Sequence, residues 1–107
     1  EGKSWANHLM VLCALPNNLA YSRFGFAASR RIGKAVIRNR VRRRMREAVR
    51  LSRVSIANGW DMLFVARPPI VRATYAEIAQ AIENLLSRAS LRKPLNGDNE
   101  SGKASEG

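Results

Sequence analysis

The fold of this 107-residue chain is decided within residues 23–43, which read RFGFAASRRIGKAVIRNRVRR. The first part alternates two bulky side chains, Phe24 and Phe26, with small or polar ones, a period of two that predicts a strand. From about Lys34 the apolar residues recur at helical spacing, and Gly33 supplies the turn between the two periods. The segment therefore predicts a strand that leads directly into a helix.

The predicted helix has one apolar face and one basic face. Its apolar arc consists of Ile37, Val41, Met45, Ala48, Val49 and Leu51. The opposite face carries Asn39, Arg42, Arg43, Arg46, Arg50 and Arg53. Arg44 falls at the edge of the apolar arc and is expected to extend its guanidinium outward along the surface. Arg38 falls within the arc, but in the first turn, where its side chain can leave past the helix end.

Most of the net charge of +11 lies in this part of the chain. Residues 30–53 hold eleven basic side chains, ten of them arginine, and one acid, Glu47, for a local net charge of +10. A solvated helix face usually mixes both signs, and like charges at i,i+4 repel. Arginine also matches phosphate oxygens bidentately. The pattern therefore favours a nucleic-acid partner over a merely solvated surface.

Length, composition and motif content exclude several classes of protein. The chain has material for one small domain, and no apolar run of 18 residues exists to span a membrane. A single cysteine and a single histidine form neither a disulfide framework nor a metal site. Gly33-Lys34-Ala35 ends like a phosphate-binding loop but lacks the first glycine and the hydroxyl residue of that motif. The acidic residues are scattered along the sequence, so we expect no catalytic residues and no metal ligands. With one cysteine and no membrane span, the chain is expected to be an intracellular protein whose thiol is reduced.

On the N-terminal side of residues 23–43, the apolar run Leu9–Leu15 predicts a buried strand that ends at a turn. Within it we expect Cys13 to be a small buried hydrophobe. Phe24 and Phe26 are expected to lie in the core rather than to stack on bases, because they share a face opposite the one left shallow by glycine.

On the C-terminal side, Trp60–Ala66 is nearly continuously apolar, which predicts a strand buried on both faces. Thr74-x-x-Glu77 is a capping box. It opens a helix with an apolar stripe of Tyr75, Ile78, Ala79, Ile82, Leu85, Leu86 and Ala89. Residues 93–107 are polar and predicted to be a disordered tail. The sequence predicts a single α+β domain over residues 1–92, with a small mixed sheet of three to four strands, the basic helix and a second amphipathic helix.

Residues 23–43 closely resemble the signature of the bacterial ribonuclease P protein component. The shared pattern is a strand ending in Ser29, two basic residues, Ile32 and Gly33, then Ala-Val and an Arg-Asn-Arg triplet at residues 38–40. Flanking pieces agree, and the resemblance covers about residues 1–92. It implies the ribosomal protein S5 domain 2-like fold with an uncommon left-handed βαβ crossover.

The resemblance implies a function as the small subunit of a ribonucleoprotein endonuclease that removes the 5′ leader of precursor tRNA. Catalysis would belong to the RNA subunit with bound Mg²⁺, and the protein alone would bind no cofactor. Its partners would be ribonuclease P RNA and the precursor tRNA leader, with no membrane partner. The protein alone is expected to be a monomer in the cytoplasm.

The resemblance also implies two surfaces that contact RNA. The side chains expected to bind RNA are Arg30, Arg31, Lys34, Arg38, Asn39, Arg40, Arg42, Arg43, Arg46 and Arg50. A cleft for the single-stranded leader is expected on the open face of the sheet, with Arg31 and Asn39 at its rim. By strand alternation, the side chains that would line it are Val11, Cys13, Leu15, Gly25 and Ala27.

Three features depart from the family pattern. The family has an N-terminal helix with aromatics that line the cleft, and this chain begins where that helix should end, which predicts a truncated start or a reduced cleft. Cys13 replaces an aromatic that often faces the cleft, which weakens the case for base stacking there. Arg44 replaces an apolar residue, so a slightly looser contact between helix and core is expected.

Two other functions share parts of this pattern. A structural ribosomal-type RNA-binding protein would have the same charge distribution, and only a leader-cleavage assay separates it from the first hypothesis. A basic amphipathic helix also binds acidic membranes, but here the helix would have to detach from the sheet. Strong amide protection of Ile37, Val41 and Met45 in hydrogen exchange would argue against that alternative.

Overall fold

The computed structural model describes residues 2–93, which form four strands and two long helices. The strands are β1 (Lys3–Ala6), β2 (Met10–Pro16), β3 (Arg23–Ala27) and β4 (Trp60–Ala66). The helices are α1 (Ala35–Ser52) and α2 (Tyr75–Arg88). Neither described helix is long and apolar enough to cross a membrane. From residue 94 onward, the predicted tail lies outside the described residues.

The four strands form one mixed sheet in the order β1-β2-β4-β3. The β1–β2 and β2–β4 pairs are antiparallel, whereas β3 and β4 pair in parallel. Parallel neighbours need a crossover connection, and α1 supplies it between β3 and β4. The predicted α+β fold with its mixed sheet and two helices is confirmed, while the left hand of the crossover stays a prediction.

Both helices pack on one face of the sheet and leave the other face open. The sheet contributes Met10, Leu12, Met62 and Phe64, all between 0 and 2% exposed. They form one cluster with apolar side chains of both helices: Val41, Met45, Ala48 and Val49 of α1, and Ile78, Ile82, Leu85 and Leu86 of α2. Each large side chain buried this way contributes roughly 1.5–3 kcal/mol. Phe24 and Phe26 pack against the same cluster, as predicted.

Strand β4 is buried on one face only, so the prediction of a strand buried on both faces is wrong. Leu63 is 41% exposed, and Asp61 and Val65 are half-buried. Burial of both faces requires a second layer over the sheet, and residues 2–93 supply none there. Strand β2 is also buried on one face only, since alternate residues are buried and Leu15 is 48% exposed.

The apolar arc predicted for α1 is correct at its centre and wrong at its margin. Val41 and Met45 are buried, but Leu51 is 61% exposed. Each helical residue turns by about 100°, so Leu51 lies about 120° around the axis from Met45, outside the contact with the sheet. In α2, Tyr75 of the predicted stripe is likewise 37% exposed, because it is the first residue of the helix and precedes the turn that packs on the core.

The capping box predicted for α2 is confirmed. Thr74 Oγ1 accepts a hydrogen bond from Glu77 N at 3.1 Å, and Thr74 N donates to Glu77 Oε1 at 2.8 Å. The two bonds satisfy backbone donors that the helix itself leaves without partners. They fix where α2 begins and thereby the position of its apolar stripe over the sheet.

Candidate nucleic-acid interface

The basic surface begins at the tight turn between β3 and α1. Ser29 Oγ accepts a hydrogen bond from Arg31 N at 3.3 Å. Gly33 follows with φ of 147°, and a Cβ there would lie 3.2 Å from Ile37 Cδ1, so both conformation and space favour glycine. At the N-terminus of α1, where the helix dipole adds partial positive charge, this turn exposes three predicted RNA contacts: Arg30, Arg31 and Lys34.

Along α1 the predicted basic face is largely exposed. The exposed predicted contacts are Asn39, Arg40, Arg43, Arg46 and Arg50, and Arg42 is half-buried. The first turn of the helix contains no acid. The helix has 18 residues and is therefore roughly 27 Å long, so the structure places a positively charged surface of that length beside the sheet.

Two of these arginines are hydrogen-bonded within the helix. Arg42 Nη2 donates to Asn39 Oδ1, which holds two predicted RNA contacts together. Arg50 donates to both carboxylate oxygens of Glu47, with Nε 3.0 Å from Oε1. The hydrogen bond and charge of Arg50 lower the pKa of Glu47, and the pKa of Arg50 is raised in return. Arg50 is therefore partly neutralised and offers less charge to a phosphate than its neighbours do.

Arg38 is half-buried like Arg42, but it differs from the other predicted contacts at its Nε. Its Nε is shielded from solvent and has no hydrogen-bond partner among the described residues. Around the helix axis, Arg38 lies about 20° from Met45, in the middle of the apolar arc. Its position in the first turn lets the side chain run towards the surface, as predicted, but the buried Nε was not foreseen.

Two arginines of α1 and the turn after it stack on aromatic side chains of β3. Arg46 Cζ lies 5.6 Å from the ring centroid of Phe26, and Arg53 Cζ lies 5.4 Å from that of Phe24. Phe26 stacks in turn on Phe64, with centroids 5.8 Å apart and planes at 13°. Arg53 is not among the predicted RNA contacts, although its seven-residue spacing from Arg46 places it on the same side of the helix.

The five side chains predicted to line a leader cleft all lie on the open face of the sheet. The strand register places Cys13 beside Leu63, and Leu63 beside Gly25, in one row. The row on one side contains Val11, Val65 and Ala27. The row on the other side contains Leu15, Asp61 and Arg23. The shared face is established by the register, whereas the role of these residues in leader binding stays a prediction.

Cys13 is half-buried in this open face, so its predicted place in the core is wrong. Its neighbours Leu12 and Ala14 take the core-facing positions of β2, and strand alternation turns Cys13 to the other side. The contributions of Leu63 and Val65 to the open face were also missed, because an apolar run gives no sign of which face a partner or solvent will cover.

A groove of about 630 Å³ runs over this face, with Gly25, Cys13 and Leu63 among its lining residues. An ion pair borders it, in which Arg23 donates from Nε to Asp61 Oδ1 at 2.8 Å and from Nη2 to Oδ2 at 2.7 Å. Together with a bond from Asn17, these contacts lower the pKa of Asp61 to about 2. The positive charge of Arg23 is thus cancelled. Lys3 also lines the groove and has no ion-pair partner among residues 2–93, so the groove carries one unpaired charge beside a strongly basic helix.

A mixed sheet with one open apolar face, joined at its edge to an arginine-covered helix, defines a small basic α+β domain suited to a polyanion. The family model for Ribonuclease P matches residues 1–90. The chain therefore belongs to the ribonuclease P protein family, whose members are protein components of a bacterial tRNA-processing endoribonuclease.

Individual relatives and solved structures agree with this assignment. The ribonuclease P protein component of Roseiflexus castenholzii is 44% identical over 92 residues, which cover 85% of this chain and 75% of the relative. That of Alkaliphilus metalliredigens is 40% identical over 91 residues, covering 85% and 82%. The RNase P protein of Staphylococcus aureus has a TM-score of 0.77 at 30% identity, covering 84% of this chain and 83% of that one. The Thermotoga maritima protein in complex with 1-(4-fluorophenyl)-2-thiourea has a TM-score of 0.77 at 34% identity, covering 82% and 86%.

Proposed function

We propose that this chain binds ribonuclease P RNA through the basic face of α1 and the 5′ leader of precursor tRNA through the open face of the sheet. The observation that carries the proposal is the separation of the two surfaces, with dense positive charge on the helix and a mainly apolar groove on the sheet, where Lys3 is the one lining charge without an ion-pair partner among residues 2–93. As a monomeric subunit in the cytoplasm, it would assist removal of the leader by the RNA.

The basic face of α1 is suited to the RNA backbone. Guanidinium groups offer planar donor pairs to phosphate oxygens, and the exposed arginines lie along one continuous helix. Six to eight phosphate contacts, each lowering the log–log salt slope by about 0.7 to 0.9, correspond to a total slope of about −4 to −7. Binding of the RNA would also remove the repulsion between neighbouring arginines.

The groove is suited to nucleobases rather than to phosphates. Cys13, Leu63 and Gly25 present small or apolar surface, and the ion pair at the groove border has no net charge. Bases of a single strand can lie against such a surface while the backbone stays in solvent or meets basic side chains. Arg31, four residues beyond the end of β3, is the side chain proposed to meet leader phosphates at the rim.

The chemistry of leader removal is proposed to rest with the RNA subunit. Within residues 2–93, no three His, Cys, Asp or Glu side chains converge on one point, so this part of the protein does not fit a Mg²⁺ site. Mg²⁺ held by the RNA would activate the attacking water and stabilise charge at the phosphodiester. The part played by the protein is to hold the leader in place beside that centre.

Binding measurements with the full chain test the two surfaces separately. For ribonuclease P RNA we expect a log–log salt slope of about −4 to −7, and a slope shallower than about −3 would contradict the proposed phosphate contacts. The reconstituted holoenzyme should bind precursor tRNA more tightly than mature tRNA. A structural ribosomal-type RNA-binding protein would show the steep slope without any preference for the leader.

A further inference from the structure

We propose that Arg46 and Arg53, held over the rings of Phe26 and Phe24, form a pre-organised site for two phosphates of the catalytic RNA along the free edge of β3. This site rests on the proposed function and extends it beyond the Arg-Asn-Arg end of the helix.

The two arginines lie over two aromatic rings of the same strand. They are seven residues apart, with Arg46 in α1 and Arg53 at the C-cap of that helix. Arg46 lies over the ring of Phe26 and Arg53 over that of Phe24. The C-terminal part of α1 therefore runs in the direction opposite to β3. The two rings are two strand residues apart, roughly 7 Å. The two guanidinium groups are thereby placed in order along the edge of the sheet.

The site is open and its charge is not cancelled. Among the described strands, β3 is the last in the sheet and pairs with β4 alone. Arg46 and Arg53 are both exposed, and neither takes part in an ion pair within residues 2–93. Arg50, which lies between them, is engaged by Glu47. Arg46 and Arg53 are therefore two exposed cations without an ion-pair partner among residues 2–93.

A guanidinium that stacks on an aromatic ring keeps its N–H edge available for hydrogen bonds. Because stacking already restricts the side chain, less conformational freedom is lost when a phosphate binds. Arg46 and Arg53 also continue the basic face of α1, since Arg42 lies one helical turn before Arg46. Charge complementarity and this continuity both favour an RNA backbone as the occupant.

The geometry assigns the occupant to the catalytic RNA rather than to the leader. Residues of β3 alternate, so Gly25 and Ala27 lie on the open face of the sheet while Phe24 and Phe26 face the arginines and the core. RNA bound by Arg46 and Arg53 would lie on the other side of β3 from a leader in the groove. The two RNA segments would then flank the same strand without overlapping.

The double variant Arg46→Met/Arg53→Met tests the site because methionine keeps an apolar cover over the two rings and removes both charges. We expect its affinity for ribonuclease P RNA to fall by about tenfold or more and its salt slope to become shallower by about 2. The matched control is Arg72→Met/Lys93→Met, which removes two exposed charges outside α1 and should keep the wild-type slope. Urea denaturation of each variant checks that it is folded.

A second variant, Arg46→Lys/Arg53→Lys, keeps the charges and loses the planar stacking. We expect a wild-type slope with several-fold weaker binding, and wild-type affinity would overturn the claim that stacking pre-organises the site. If the methionine pair keeps the wild-type salt slope while Arg43→Ala has a shallower one, the proposal of a phosphate site at Arg46 and Arg53 is wrong and the proposed function stands. If Arg43→Ala also keeps the wild-type slope, the proposed function itself fails. Should the methionine pair not fold, the lysine pair carries the test.

Discussion

Arg23 and Asp61 face each other in register across the parallel β3–β4 pair and form a bidentate ion pair. Asp61 also accepts a hydrogen bond from Asn17, whose Oδ1 accepts one from Leu19 N, so the pair ties the loop between β2 and β3 to the sheet. The same pair cancels the charge of Arg23 at the border of the groove. The groove on the open face therefore has little net charge, from Lys3, although the chain carries a net charge of +11.

Acid should weaken this end of the sheet. Hydrogen bonds from Arg23 first and Asn17 second lower the pKa of Asp61 from 3.8 to about 2. The stabilisation is therefore complete above pH 3.8 and is lost as pH falls toward about 2. We expect urea midpoints to fall across this window, and Asp61→Asn to lower the midpoint at neutral pH and flatten the fall. Identical pH profiles for the two proteins would show that the pair does not stabilise the fold.

Replacement of Arg43 by alanine should separate RNA binding from stability. Arg43 is exposed on α1 and outside the core cluster, so its loss should change the free energy of unfolding by no more than about 0.5 kcal/mol. The salt slope for ribonuclease P RNA should become shallower by about 1. Filter binding and urea denaturation measure the two effects, with Arg72→Ala as the control. A large drop in the urea midpoint would mean that this face also supports the fold.

Filling the groove should reduce recognition of the leader. A Cβ at Gly25 would lie 3.2 Å from Leu63 Cδ1, the end of a flexible side chain that can move aside, so Gly25→Val should fold. Its larger side chain would occupy the groove floor, and holoenzyme affinity for precursor tRNA should fall towards that for mature tRNA. Mature tRNA is the control, and its binding should not change. Undiminished preference for the precursor would place the leader elsewhere.

Loss of the capping box should affect stability alone. Thr74→Ala removes the side-chain acceptor for Glu77 N and should lower the free energy of unfolding by about 1 kcal/mol. Thr74 is neither a predicted RNA contact nor a lining residue of the groove, so the RNA affinity of the fully folded variant should stay at the wild-type value. Thermal denaturation and RNA binding, compared with Thr74→Ser, check both parts. Weakened RNA binding by a fully folded variant would contradict the assignment.

Features set by local sequence could be predicted, because their physical causes lie within a few residues. The alternation around Phe24, the glycine turn at Gly33, the arginine face of α1 and the capping box at Thr74 are all of this kind. The open face of β4 could not be predicted in the same way. Leu63 has the composition of a core residue, and only the packing of both helices on the opposite face leaves it exposed.

Contacts between distant segments gave no local signal either. Arg23 and Asp61 are 38 residues apart and meet only through the β3–β4 register. The stacking of Arg53 on Phe24 depends on how closely the end of α1 approaches the sheet, which periodicity does not determine. The basic face could thus be placed on one helix from the sequence, but the division of its arginines into free, paired and stacked groups required the structure.

Leader release in a reconstituted reaction shows whether this chain assists cleavage of precursor tRNA. This chain is mixed with a bacterial ribonuclease P RNA and a precursor tRNA at low Mg²⁺, and cleavage at the mature 5′ end is followed over time. We expect the chain to stimulate cleavage at that position, and Gly25→Val and Arg43→Ala to stimulate it less. Tight, salt-sensitive RNA binding without any stimulation would contradict this expectation and would indicate an RNA-binding protein with no part in leader removal.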